Sequence, residues 1–107
     1  MNMTDKTFSL KAAPTFAAKV AIPIAGTDGA ELECTFRHKR RTDLKEFLES
    51  IETRPAADAL FEILAGWTHP TEAFSREALE ELLDNHHAAG HAILQAYLHQ
   101  LTGGLIS

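Results

Sequence analysis

Apolar and polar residues alternate along two early stretches of the chain. In TFAAKVAIPI, Phe16, Ala18, Val20, Ile22 and Ile24 fall on one face. In AELECTFRHK, Ala30, Leu32, Cys34, Phe36 and His38 share a face, and Glu31, Glu33, Thr35, Arg37 and Lys39 occupy the other. Successive side chains of a strand point to opposite sides, so a period of two over this length predicts half-buried strands. Gly26-Thr27-Asp28-Gly29 separates the runs, and Asp28-Gly29 predicts a type I′ turn, whose central residues both need positive φ. The segments near 16–24 and 30–38 are therefore expected to pair antiparallel. Pro23 has no N–H to donate and belongs at a strand end or an edge. Thr7–Lys11 allows a short third strand before Ala12-Ala13-Pro14 breaks it.

The period then lengthens to that of a helix. Leu44, Phe47, Leu48 and Ile51 are spaced i, i+3, i+4, i+7, with Lys45, Glu46, Glu49 and Glu52 pointing away and Thr42 as the expected cap. Arg54-Pro55 ends this helix, because a residue before proline avoids the α region, and Pro55 suits the first turn of the next. That second helix has Ala57, Leu60, Phe61 and Leu64 on one face with Ile63 beside them, and Gly66 is expected to stop it. A third helix runs from a cap at Ser75 to about Asn85 through Leu79, Leu82 and Leu83. A fourth runs from near Ala88 to Gly103-Gly104 through Ile93, Leu94, Tyr97, Leu98 and Leu101. Gly90 weakens its first turns but permits close helix approach. The stretch from Leu60 to His86 organises the whole: Trp67 and Phe74 are the expected pegs holding two helices at a fixed angle. The pattern predicts an α+β fold in a single domain over 1–107. It has a loose N-terminus at 1–6, a β part at 7–39 and a helical part at 42–103, that is, an antiparallel hairpin with a third short strand followed by about four helices.

Length and composition agree with one small core: the chain has 107 residues, of which 45% are hydrophobic and 23% charged. No apolar run approaches the ~20 residues of a membrane helix. The opening MNMTDKTFSL has neither the basic nor the apolar region of a signal peptide. The lone Cys34 has no internal disulfide partner, which suits a reducing cytoplasm. Charge is uneven. Residues 1–45 carry eight Lys/Arg and five Asp/Glu, net +3, while residues 46–107 carry two and ten, net −8, in agreement with the total of −5. An acidic helical half argues against nucleic acid, whose phosphates need Lys and Arg, and permits a basic protein partner. The basic run Arg37–Arg41 lacks the interleaved aromatics of a nucleic-acid surface.

Few residues offer chemistry. His87 and His91 lie at i, i+4, the spacing at which two imidazoles share a metal, but no further ligand stands at a suitable spacing, so surface polar positions are expected rather than a metal site. Cys34 reads as a small buried hydrophobe. His38, on the same strand face, lies about 13 Å away in an extended strand, too far to act as its base. There is no nucleophile elbow and no phosphate-binding glycine loop. Neither an enzyme nor a cofactor is expected.

In order, the extended opening TFSLKAAPTFAAKVAIPIAG, the strand closing on Phe36–Lys39, and the helix with Leu44 and Phe47 lead to Ile63-Leu64-Ala65-Gly66-Trp67. Then come Phe74-Ser75, Leu79, Leu82-Leu83 with an Asn-His pair, and a last helix with Ile93, Ala96-Tyr97 and Leu101-Thr102-Gly103. This succession resembles the small tail assembly chaperones of long-tailed phages and prophages over nearly the whole chain, the Gly-Trp followed by Phe-Ser being its most specific part. The resemblance implies a non-enzymatic protein of the host cytoplasm, absent from the mature virion. Such a protein coats the tape-measure protein, keeps it soluble and helps recruit tail tube subunits. It also implies that two products can arise by ribosomal frameshift; the apolar end Gly103–Ser107 departs from the polar finish expected of the family. A homo-oligomer is compatible, and neither nucleic acid nor membrane is an expected partner. The alternative is a structural tail component, a tube or terminator subunit retained in the virion; a small metal-binding protein using the histidines is a third reading. Partner contacts are expected at Trp67, Phe74, Leu79, Glu80, Leu83, Asp84 and Tyr97, in a groove bordered by the exposed part of the leucine-rich face.

Overall fold

The computed structural model describes residues 10–103. Strand β1 (Thr15–Ile22) pairs antiparallel with β2 (Ala30–Arg37). Phe16 lies opposite Phe36, Ala18 opposite Cys34 and Val20 opposite Leu32, so the two apolar faces expected of the strands lie on the same side of the sheet. Val20, Ile22, Leu32, Cys34 and Phe36 are buried on the inner face, while Lys19, Glu31 and Glu33 face solvent.

The connection differs from the expected two-residue turn. Asp28 does not take positive φ; Gly26 (φ 79°) and Gly29 (φ 94°) do. The N–H of Thr27 donates to the carbonyl of Ile24 at 3.1 Å, closing a turn with Gly26 third, the position at which type II needs a left-handed residue. Pro23 stops the ladder after Ile22, so the loop cannot shorten to Asp28-Gly29. A Cβ on Gly29 would lie 2.9 Å from the carbonyl oxygen of Ile22, a second reason for glycine there.

Helix α1 (Arg41–Ser50) follows, then a 3₁₀ turn (Ile51–Thr53) and α2 (Ala56–Ile63). The helix starts one residue before the expected cap: Arg40 is the N-cap, without a side-chain hydrogen bond, and Thr42 lies inside the first turn. Arg54-Pro55 separates the helices as expected.

The third strand is where expectation and structure part. It is not Thr7–Lys11: residues 7–9 lie outside the described residues, and Leu10 and Lys11 form a bend. It is β3 (Leu64–Thr68), in the stretch read as the end of the second helix. β3 joins the free side of β2 antiparallel, giving the order β1-β2-β3. Gly66 does not take positive φ, so it is no helix-ending glycine. The helix stops because Leu64 turns extended to pair with Phe36. A bulge resets the register there: Phe36 faces Leu64, and Thr35 faces Gly66. Cys34 and Phe36 both face inward, so their partners Trp67 and Leu64, three residues apart, share the inner face. The burial of α2 follows from this strand. Ala59, Leu60 and Ile63 turn inward and Phe61 outward, at 39% exposure, correcting the face that placed Phe61 inside.

Helix α3 (Arg76–Asn85) begins where expected, with the Ser75 hydroxyl oxygen accepting from the N–H of Ala78 at 3.0 Å. Helix α4 (Ala89–Thr102) ends on Gly103 at φ 65°, a left-handed C-terminal residue. It packs against β1, with α2 and α3 beside it. The core is therefore one layer of helices on the inner face of a three-stranded antiparallel sheet. No helix among the described residues is long and apolar enough to cross a membrane.

Candidate functional site

The helical layer leaves an apolar groove open. Phe47, Ile51, Leu60, Leu83 and Leu94 line it, between α1 and α2 on one side and α3 and α4 on the other. Gly90 lies at its base: a Cβ there would come within 3.3 Å of Leu83 Cδ2 and 3.5 Å of Leu60 Cδ1. The glycine thus lets α4 approach α2 and α3 closely, the role expected of it. Glu52, Arg54, His87 and His91 complete the lining. The space is about 470 Å³, within the roughly 300–1,000 Å³ usual for ligand clefts. A second groove of about 520 Å³ opens between the sheet end and α3, where Ile24, Trp67 and Leu82 meet Glu72, Glu81 and His86.

The residues singled out from the sequence separate into three settings. Trp67 and Phe74 meet edge to face, their ring centroids 5.0 Å apart, as pegs should. They pin a strand to a loop, however, not one helix to another. The indole N–H of Trp67 donates to the Glu72 carbonyl at 2.9 Å, and Phe61 stacks on Phe74 from α2 at 5.7 Å. Leu79 and Tyr97 are fully buried and offer a partner no surface: Leu79 fills the core, and Tyr97 stacks on Phe16, meets Phe36 at a tilt and donates its hydroxyl to the carbonyl of Arg37. Leu83 does line the helical groove, whereas Glu80 and Asp84 line neither groove. Glu80 accepts instead from Arg76 Nε at 2.9 Å. Ile51, Leu60, Gly90 and Leu94 were missed as groove residues. The signal available was Gly90 between two histidines four residues apart, on a helix that must pass close to its neighbours.

Both basic residues of the acidic half are engaged within the fold. Arg54 and Lys39 hold Glu62 at 2.7 Å and 2.6 Å. Chiefly through the hydrogen bond from Lys39, the Glu62 carboxyl lies below its usual range. Arg76 bridges Asp58 and Glu80, and its guanidinium, held first by Asp58, lies above its usual range. The acidic excess of the helical half is therefore left facing solvent.

Among the described residues, no reactive group emerges. Burial pushes the Cys34 thiol up to about 12, so it stays protonated and unreactive at neutral pH. Burial, then the charge of Glu62, pushes the Tyr97 phenol up to about 12. His91 is exposed on α4 and His87 in the turn before it, so the two do not share a helix face. Among the described residues, no three of His, Cys, Asp and Glu come close enough to hold a metal ion.

The described residues thus form a small sheet with one helical layer, open apolar grooves and an acidic surface. Residues 3–105 match the family model described as phage tail assembly chaperone, and the chain belongs to that family. Chaperone families of this kind are typically not enzymes. Comparison with curated proteins and with solved structures found no match.

Proposed function

We propose that this protein binds helical segments of the tape-measure protein in the groove between α1–α2 and α3–α4. In this reading it keeps that long client soluble in the host cytoplasm, helps recruit tail tube subunits to it, and is not retained in the mature virion. The observation that carries the reading is the groove itself, a largely apolar trough open to solvent between helices. Such a trough suits an amphipathic helix presenting anchors at i, i+3 or i+4, and i+7. A tape-measure helix with an apolar stripe would aggregate alone, because large exposed apolar patches associate. The surrounding acidic surface favours segments whose stripe is bordered by Lys and Arg.

The experiment is co-expression with the long helical protein encoded beside this chain. With the unmodified chain, the client is expected in the soluble fraction and in a complex on size exclusion. Leu94→Glu places a charge in the groove at a half-buried position and is expected to abolish the complex while the circular dichroism spectrum is retained. Leu82→Glu, in the sheet-side groove, is expected to leave it intact. Loss with Leu82→Glu and not with Leu94→Glu would move the site to the other groove. A client equally insoluble with and without the unmodified chain would refute the function.

A further inference from the structure

We propose that the outer edge of β1 is a self-pairing surface, through which a second copy of this chain extends the sheet to six strands across a two-fold axis. The argument begins with the direction of the backbone groups. The N–H of His38 donates to the carbonyl of Pro14 at 2.9 Å, so these residues form a hydrogen-bonded pair at the end of the β1–β2 ladder. Bonded and non-bonded pairs alternate in an antiparallel ladder. Phe16, Ala18, Val20 and Ile22 therefore bond to β2, and Thr15, Ala17, Lys19 and Ala21 direct their N–H and C=O outward. Those four residues are all exposed, and among the described residues no strand lies beyond them.

The edge is complementary to itself in one register. With Ala18 opposite the second copy's Ala18, Thr15 faces Ala21 and Ala17 faces Lys19. All four outward residues then pair on each copy, giving about eight N–H···O bonds. On the inner face Phe16 meets Val20, so the half-buried Phe16 and Ala18 at the sheet margin gain cover. A shift by two residues in one direction puts Lys19 against Lys19 and Thr15 against Pro23, which has no N–H. The opposite shift puts Ala21 against Ala13, outside the strand. A shift by one sets apolar residues against the solvent face. A lysine often guards an edge against pairing, but Lys19 lies directly opposite Glu33 in its own sheet, which offsets its charge. The middle of the edge carries alanines at 17, 18 and 21, small enough for a second strand to approach. The surface is separate from both grooves, so this inference stands or falls independently of client binding.

Sedimentation of the full chain over a concentration series tests it. A dimer with a Kd on the order of 10–100 μM is expected, since the interface is small. Ala17→Pro removes one outward N–H and leaves the bonds to β2 untouched; it is expected to weaken dimerisation at least about tenfold with an unchanged melting temperature. Ala18→Cys is combined with Cys34→Ala, because Ala18 faces Cys34 in its own sheet. It is expected to give a disulfide-linked dimer on mild oxidation, the two Cα atoms lying roughly 4.5 Å apart in a non-bonded pair. A chain that stays monomeric throughout the series overturns the proposal. So does a dimer that Ala17→Pro leaves unchanged in a folded protein, or one that the cysteine pair fails to trap.

Discussion

Replacing Tyr97 by phenylalanine isolates a single hydrogen bond at the centre of the core. The ring is enclosed by Phe16, Phe36 and Phe47, with centroid separations of 6.0, 5.2 and 6.4 Å, and phenylalanine keeps all of these contacts. What it loses is the donor that reaches the Arg37 carbonyl at 2.8 Å. That carbonyl has no strand partner. The odd-numbered residues of β2 bond toward β3, and β3 begins at Leu64 opposite Phe36, so Arg37 falls one position beyond the ladder. Removing the hydroxyl strands a partly buried acceptor, which costs about 1–2 kcal/mol. For a domain of this size that is a fall in melting temperature of roughly 4–12 °C. Thermal unfolding followed by circular dichroism reads it directly. Tyr97→Ala, which also empties the ring site, is expected to cost about 3–5 kcal/mol and to leave little of the folded state. If Tyr97→Phe melts with the unmodified chain, the hydroxyl is not what satisfies Arg37, and the account of why α4 is tied to the end of β2 fails.

Two further outcomes follow from the same packing. Trp67→Ala removes a half-buried ring that meets Phe74 and holds the loop through the Glu72 carbonyl; it is expected to cost about 2 kcal/mol, roughly half the value of a fully buried aromatic, with hydrogen exchange rising first in residues 69–74. Because the Glu62 carboxyl is held below its usual range by Lys39 and Arg54, it binds protons less readily folded than unfolded. Its contribution is thus complete above the unfolded value near 4.5 and is lost as pH falls through the lower folded value. Glu62→Gln is expected to flatten the acid limb of a melting-temperature profile between about pH 5 and 3 while leaving its shape at neutral pH, and an unchanged acid limb would show that the pair is not coupled to folding.

The hairpin was legible because its signal is local: a period of two on both flanks of a glycine-bounded turn predicts two antiparallel strands and the buried face of each, while the turn type and the register, which can shift by two without changing faces, were set by Pro23 and the longer loop. Ser75 and Gly103 were legible for the same reason, each satisfying a helix end with its own backbone or side chain. β3 was not. Ile63-Leu64-Ala65-Gly66-Trp67 continues the apolar spacing of α2, and only the free side of β2, thirty residues earlier in the chain, decides that Leu64 turns extended. The missing cue was that β2 carries buried residues too densely to be the edge of a two-stranded sheet. Phe61 failed with it: its side of α2 meets Phe74 and Arg76 and not the sheet, and it stays partly open to solvent. Of the residues expected as partner contacts, Leu79 and Tyr97 are core, because a leucine-rich face read from sequence does not say which of its members the fold itself consumes. The groove belongs to no single segment: Gly90 brings α4 close to Leu60 and Leu83, and Ile51 and Leu94, from separate elements, complete its lining.

That division of the apolar residues bears on how such a chaperone releases its client. On α3 and α4, Leu79, Ile93, Tyr97 and Leu98 fill the core, and Leu83 and Leu94 are left half-buried at the groove. Burying a leucine fully is worth about 1.5–3 kcal/mol, so the part of these two side chains that a client can still cover yields only a fraction of that. Association itself costs several kcal/mol in lost freedom. On the proposed function, one copy in its groove would therefore be a weak binder, and solubility would have to come from many copies spread along a long client. On the same reading, that weakness would let an incoming tube subunit displace them one at a time, with no single site holding the client against polymerisation. A larger, drier groove would raise the affinity of each copy and oppose the step that assembly needs, which is a physical reason for this fold to keep most of its leucines for itself.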